Sequence, residues 1–173
     1  KQGKALYVGI SKYPPAQAKI AYEMLRAAGV PCLISQYRYS MFDRTVEEKS
    51  LPLAAEQGSG FIAFSPLAQG LLTKKYLHGI PEHSRAARST GFLKVDQVTE
   101  DKVGKARRLD EIAARRGQTL AEMALAWVLK DERMTSVIVG TSSVKQLADN
   151  LHALDNLNFT NEELAEIEGI LRL

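Results

Sequence analysis

Short runs of β-branched and aromatic residues alternate with amphipathic helical segments along the whole of this 173-residue chain, and that alternation restricts the fold more than any other feature. Residues 5–10 (ALYVGI) read as a strand, 31–39 as a second and 60–64 (GFIAF) as a third. Between them, residues 16–28 carry apolar positions at Ile20, Tyr22, Met24, Leu25 and Ala28 before Gly29, and residues 50–57 form a shorter helix. Pro14-Pro15 presets the first turn of the longer one. Thr99 opens a helix that runs to Arg116 and stops at Gly117. Thr119 caps another over residues 120–129, with Met123, Ala124, Trp127 and Val128 on its apolar face. Residues 136–139 form a fourth strand, 144–154 a helix, and 161–171 a last helix capped by Thr160 with acidic residues in its first turn. Continuously apolar strands joined by helices make a parallel sheet covered by helices. About four such strands give either an open sheet or one half of an eight-stranded barrel. Ser11, Gln36, Ser65 and Thr141 at the carboxyl ends of the strands favour the barrel half. So does the lack of the Gly-x-Gly-x-x-Gly turn that an open dinucleotide-binding sheet carries.

The run GFIAFSPLAQGLL (residues 60–72) carries the clearest functional signal. A buried strand breaks at Phe64-Ser65-Pro66 into small, flexible residues. An aromatic ring, a hydroxyl and free amides at the carboxyl end of a buried strand suit a flat ring with a phosphate tail. Residues 73–98 form the longest irregular stretch, a length that marks a functional or mobile loop. A composition of 45% hydrophobic and 25% charged residues reads as one globular, partial domain over residues 1–173, with no apolar run near the length of a membrane span. The one cysteine, Cys32, reads as a buried strand residue and fits a reducing cytoplasm. The net charge is +3, and its densest basic cluster (Lys102, Lys105, Arg107, Arg108, Arg115, Arg116) is interrupted by acids. It reads as a solvated helix face rather than a nucleic-acid stripe. No leader peptide is visible, and a start at Lys1 rather than Met reads as a removed segment or a fragment.

Five pieces together, in order and spacing, resemble the C-terminal half of an aldo-keto reductase: GKALYVGIS (3–11), Gln36, FSPLAQGLL (64–72), KYLHGIP (75–81) and VGTSSVKQLADNL (139–151). The resemblance lies in the branch that holds glyceraldehyde-phosphate reductases and potassium-channel β subunits. It implies an α/β fold, half of a (β/α)₈ TIM barrel, that binds NADP(H) at the carboxyl face. It implies that Ser11 and Gln36 hold the nicotinamide carboxamide, with Lys12 beside the cofactor, and that Phe64 stacks on the ring. It implies that Ser65, Pro66, Leu67, Ala68 and Gln69 wrap the pyrophosphate, and that Lys75 and Arg85 close over it. Gly140, Thr141, Ser142 and Ser143 would take the adenosine 2′-phosphate, with Gln146, Asp149 and Asn150 facing the adenine and ribose. Taken singly, Phe64 reads as core, Gln36 as a partner for a backbone group, and residues 140–143 as an N-cap turn. Their shared direction toward one end of the sheet is what joins them.

Two departures bear on the details. Lys74 stands where many relatives have Gly, which alters the expected route of residues 73–76. Gly140 and Gln146 stand where other branches have basic residues, leaving the hydroxyls and Lys145 to hold a 2′-phosphate. The resemblance also implies a tyrosine, an aspartate, a lysine and a histidine that act on the carbonyl, all in the other half of the barrel. His78, His83 and His152, and Tyr7, Tyr13, Tyr22, Tyr37, Tyr39 and Tyr76, do not fall in those motifs, so no catalytic residue and no metal ligand is assigned. The expected partners are a small carbonyl substrate and the other barrel half, with a homo-oligomer as a further possibility and neither nucleic acid nor membrane. The leading reading is the NADP(H)-binding half of a reductase of small aldehydes or ketones. A non-catalytic NADP(H)-binding regulatory subunit is the alternative, and a truncated barrel without a ligand is a third reading.

Overall fold

The computed structural model describes residues 2–82, 84, 86, 87 and 92–173. Four strands, β1 (Val8–Ser11), β2 (Cys32–Arg38), β3 (Gly60–Phe64) and β4 (Met134–Ile138), lie in one sheet in that order, each parallel to the next. Helix α1 (Pro15–Ala27) joins β1 to β2, and α2 (Ser50–Glu56) joins β2 to β3. Two helices, α3 (Glu100–Arg115) and α4 (Leu120–Leu129), separate β3 from β4, while α5 (Val144–Leu151) and α6 (Asn161–Arg172) follow it. Sequence order equals spatial order, the arrangement of half a (β/α)₈ barrel.

The central strand β3 has the expected bounds, and the outer strands shift. β1 begins only at Val8, and Leu6 and Tyr7 before it are exposed. β4 starts at Met134 because that residue pairs with Phe61, and it ends at Ile138. Helix α5 stops at Leu151, and a 3₁₀ turn, His152–Asp155, completes the segment expected as helix. Capping is strong where the sequence indicated it. Thr119 and Thr160 each form a reciprocal box, with Glu122 and Glu163, and Thr99 accepts from the Lys102 amide.

Register fixes which side chains share a face. Ser11, Gln36, Ile62 and Ser136 pair in one row across the sheet, and Arg38, Phe64 and Ile138 in the next. Side chains alternate along a strand, so Ile34 and Gly9 belong to this same face. The opposite face carries Ser35, Tyr37, Phe61 and Ala63, which are buried under the helices. There Tyr37 stacks on Phe61 at 5.1 Å, and the core continues through Leu109, Ile112, Met123, Trp127 and Ile167. Each of these large side chains contributes about 1.5–3 kcal/mol by burial. A smaller cluster seats α1 on β1 and β2 through Ile10, Ala18, Tyr22 and Cys32. Within it the Tyr22 hydroxyl lies 2.6 Å from Ser35 Oγ, which in turn lies 3.1 Å from Ser59 Oγ. Cys32 is a free, buried thiol, as its strand position implied.

The basic cluster on α3 departs from a solvated face at its last member. The Arg116 side chain is only 2% exposed. It donates to Glu163 Oε2 at 2.5 Å and to the Asn158 carbonyl at 2.9 Å, and its guanidinium sits 3.7 Å from the centre of the Phe159 ring. The turn at Gly117, with φ of +69°, carries the chain around this point. Lys105, Arg107 and Arg115 are paired with Asp101, Glu100 and Glu166. Among the described residues no helix is long and apolar enough to cross a membrane, and no group of three metal-ligating side chains converges.

Candidate functional site

The carboxyl ends of β3 and β4 diverge into two loops, and a cleft of about 610 Å³ opens between them. That volume lies in the range of small-molecule sites. From the β3 side come Phe64, Ser65, Pro66, Leu67, Gln69, Gly70, Thr73 and Lys75. From the β4 side come Ile138, Val139, Gly140, Thr141, Ser142 and Gln146. One wall therefore has an aromatic ring and a lysine, and the other hydroxyls at the start of a helix.

The β3 loop is wound unusually tightly. Ser65, Ala68 and Gln69 have φ of +54°, +47° and +60°, and Gly70 has +104°. Positive φ in non-glycine residues costs on the order of 1 kcal/mol or more apiece, and such residues concentrate at binding sites. Glycine at position 70 also answers a spatial need, since a Cβ there would lie 3.3 Å from Tyr76 Cε2. After this turn Thr73 donates to the Gly70 carbonyl at 2.7 Å and accepts from the Lys75 amide at 3.2 Å. This cap starts the 3₁₀ turn Lys74–Tyr76 and settles the route that Lys74 left open. Lys74 reaches Asp110 of α3 at 3.6 Å, and Lys75 lines the cleft.

On the β4 side Ser143 caps α5 by accepting from the Gln146 amide. The Gln146 side chain folds back, its Oε1 accepting from the Ser142 amide at 2.9 Å and lying 3.2 Å from Ser142 Oγ. One turn further on, Asn150 is buried outside the cleft lining, and among the described residues its Nδ2 has no hydrogen-bond partner. A buried amide donor without an acceptor is costly.

The cleft thus gathers Phe64, Ser65, Pro66, Leu67, Gln69, Lys75, Gly140, Thr141, Ser142 and Gln146 from the sequence-derived set. Ser11 and Gln36 are not in its lining, though they share the sheet face of Phe64 and pair with each other. Lys12, with φ of +58°, continues that pairing by donating its amide to the Gln36 carbonyl at 3.0 Å. Ala68 and Ser143 shape the two loops without lining the cleft. Asp149 is paired with Lys145 at 3.1 Å, outside the lining. Arg85 and His83 lie outside the described residues. Gly70, Thr73, Ile138 and Val139 line the cleft without having been singled out. Thr73 was findable as a Thr ahead of a short basic turn. Arg38 adds a cation 5.9 Å from the Phe64 ring centre, and register alone, not sequence, brings it there.

Several tyrosines serve the scaffold. The Tyr37 hydroxyl donates to the Tyr13 carbonyl at 2.8 Å, bracing the loop after β1, and that of Tyr39 donates to Glu47 at 2.8 Å. Burial pushes the pKa of Tyr22, Tyr37 and Tyr39 upward, so their hydroxyls stay protonated.

A parallel sheet whose order follows the sequence, with a polar cleft at its carboxyl rim, is the arrangement of half a (β/α)₈ barrel. The chain belongs to the aldo/keto reductase family, whose family model matches residues 1–172. It is similar to two proteins named L-glyceraldehyde 3-phosphate reductase. One, from Escherichia coli O157:H7, is 48% identical over 172 residues, and the other, from Escherichia coli strain K12, is 46% identical over 172 residues. Each match covers 97% of this chain and 50% of the relative, so the chain spans about half the length of the curated relatives it matches.

Proposed function

We propose that this chain is the NADP(H)-binding part of an oxidoreductase that moves hydride between NADPH and a small aldehyde or ketone. The observation that carries the proposal is the single cleft formed by the β3 loop and the β4–α5 turn, which collects an aromatic ring, a lysine and helix-terminal hydroxyls. In this reading Phe64 offers the stacking face, with Ser11 and Gln36 on the same sheet face for the carboxamide. Ser65 and the wound backbone of residues 65–70 donate to the pyrophosphate, and Lys75 neutralises it. Thr141 and Ser142 receive the 2′-phosphate at the amino end of α5, where the dipole favours an anion. Asn150 supplies a donor to the adenine.

The bound dinucleotide supplies the hydride, and these residues hold and orient it. The carbonyl chemistry is assigned to residues outside this chain, so no catalytic side chain is named here. The names of the relatives make L-glyceraldehyde 3-phosphate the first aldehyde to assay in a longer protein.

Titration of the folded chain with NADPH, followed by nicotinamide fluorescence, tests the binding role. Saturable enhancement or quenching is expected, weakened at least tenfold by Lys75→Ala, and NADH should bind more weakly than NADPH. An unchanged signal from protein whose circular dichroism shows the helices intact would refute the proposal.

A further inference from the structure

One arginine at the sheet rim stands outside both the ion-pair networks and the cleft. Arg44, Arg107, Arg116 and Arg133 each donate to a carboxylate. Arg38 donates no side-chain hydrogen bond among the described residues. Its nearest carboxylate oxygen there, Asp43 Oδ2, lies 3.9 Å away, and the other oxygen of Asp43 accepts from the Thr45 hydroxyl at 2.9 Å. An ion pair that long contributes little, so a closer anion can displace it.

Register sets what this charge faces. Arg38 is the last residue of β2 and has the parity of Gln36, so it belongs to the sheet face opposite the helices. It pairs with Phe64, which pairs with Ile138. The rim row therefore runs Arg38, Phe64, Ile138, with the aromatic ring in the middle. The Arg38 guanidinium lies 5.9 Å from the centre of that ring, inside cation–π range. The cleft opens on the other flank of the ring, between the β3 and β4 loops, and Arg38 is not in its lining. A phosphate held by the wound β3 loop or by the start of α5 thus lies across Phe64 from Arg38. The anion that suits this arginine is a different one.

We propose that Arg38 is a specificity-determining residue that takes the anionic group of the substrate, so that the site serves small aldehydes or ketones carrying a phosphate or a carboxylate. This rests on the reading that Phe64 carries the nicotinamide. A carbonyl held over that ring keeps its own tail near the ring's β2 edge, where the guanidinium stands. The planar fork of arginine matches the paired oxygens of a phosphate or carboxylate and stays charged at any working pH. The loose pair with Asp43 holds the fork beside the ring until a closer anion arrives.

Three probes test this on the isotope-labelled 173-residue chain without cofactor. Glycerol 3-phosphate carries a phosphate and no carbonyl, glycerate a carboxylate on the same frame, and glycerol neither. The Arg38 Nε–H resonance, identified by its loss in Arg38→Gln, should shift saturably with an anion and stay fixed with glycerol at equal ionic strength. The tighter of the two anions identifies the tail. Arg38→Gln should weaken anion binding, read on backbone amides, by about tenfold or more, the loss of one charge-assisted hydrogen bond. Its NADPH affinity, by nicotinamide fluorescence, should be unchanged. In a longer protein containing this chain, the same variant should lower the kcat/KM preference for glyceraldehyde 3-phosphate over glyceraldehyde by about tenfold or more. An Arg38 resonance that ignores both anions while NADPH still binds overturns the inference and leaves the cofactor reading standing. Weaker NADPH binding by Arg38→Gln, or an unchanged preference ratio, overturns it as well. An anion response in a chain that never binds NADPH keeps the anion site and refutes the cofactor reading.

Discussion

Arg116→Ala is expected to remove a large share of the chain's stability, and the structure shows why. The side chain is almost fully enclosed, with Glu163, the Asn158 carbonyl and the face of Phe159 as its partners. Removing one member of a buried pair leaves the other uncompensated, at about 3–5 kcal/mol. The ring contact adds about 1 kcal/mol in isolation, but the terms share partners and do not sum. We therefore expect a loss of about 3–5 kcal/mol against a typical total of about 5–15 kcal/mol. Urea unfolding followed by circular dichroism, at fixed protein concentration, measures it. Glu163→Gln serves as the control, since glutamine keeps the capping box with Thr160 and removes only the charge. It should cost about 1–3 kcal/mol. A loss below about 1 kcal/mol for Arg116→Ala would show that the guanidinium is replaced by water at little cost, and the reading of a buried clamp would be wrong.

Three further outcomes are expected. Ser65→Gly relieves a positive φ at the cleft; stability should change by less than about 1 kcal/mol while NADPH affinity falls severalfold, read by melting and by fluorescence titration on one sample. Gly9→Ala places a Cβ 2.8 Å from the Ile34 carbonyl oxygen and should cost about 1–3 kcal/mol, whereas Gly104→Ala, within α3 and with open space around it, should gain about 0.5–1 kcal/mol. Arg44 holds the Glu168 carboxylate below its ordinary pKa. That stabilisation is present above the unfolded-state pKa of about 4.3 and is lost as pH falls through the lower folded value. Glu168→Gln should thus be less stable than the parent by about 1 kcal/mol at pH 7, with the gap closing below about pH 4 in acid-unfolding curves.

What the sequence revealed follows from where its signals are local. β3 and α4 were read to the residue because each is bracketed by chain-breaking or capping residues: Gly58 and Ser65-Pro66 for one, Thr119 with Glu122 for the other. β1 and β4 were displaced because an outer strand begins where its single neighbour offers a partner, as Met134 does opposite Phe61. The two loops of the cleft were legible through their likeness to the family. Arg116 was not, because a count of charges along α3 cannot see the Gly117 turn that directs this arginine under α6. Gln146 lines the cleft, and its side-chain oxygen accepts from the Ser142 amide, a local bond between residues four apart that residue identity alone leaves undecided.

The pairing rows across the sheet also limit how this rim can change over evolutionary time. Ser11 and Gln36 stand on one side of their strands, and Ser35 and Tyr37 on the other. Insertion of a single residue within β2 would swap the two sets, sending an amide into the packed interior and a hydroxyl and a phenol out of it. The polar row of this sheet face and the packing of the helices are therefore inherited as one unit inside the strands. Diversification is left to the segments after each strand, where length can vary without inverting parity.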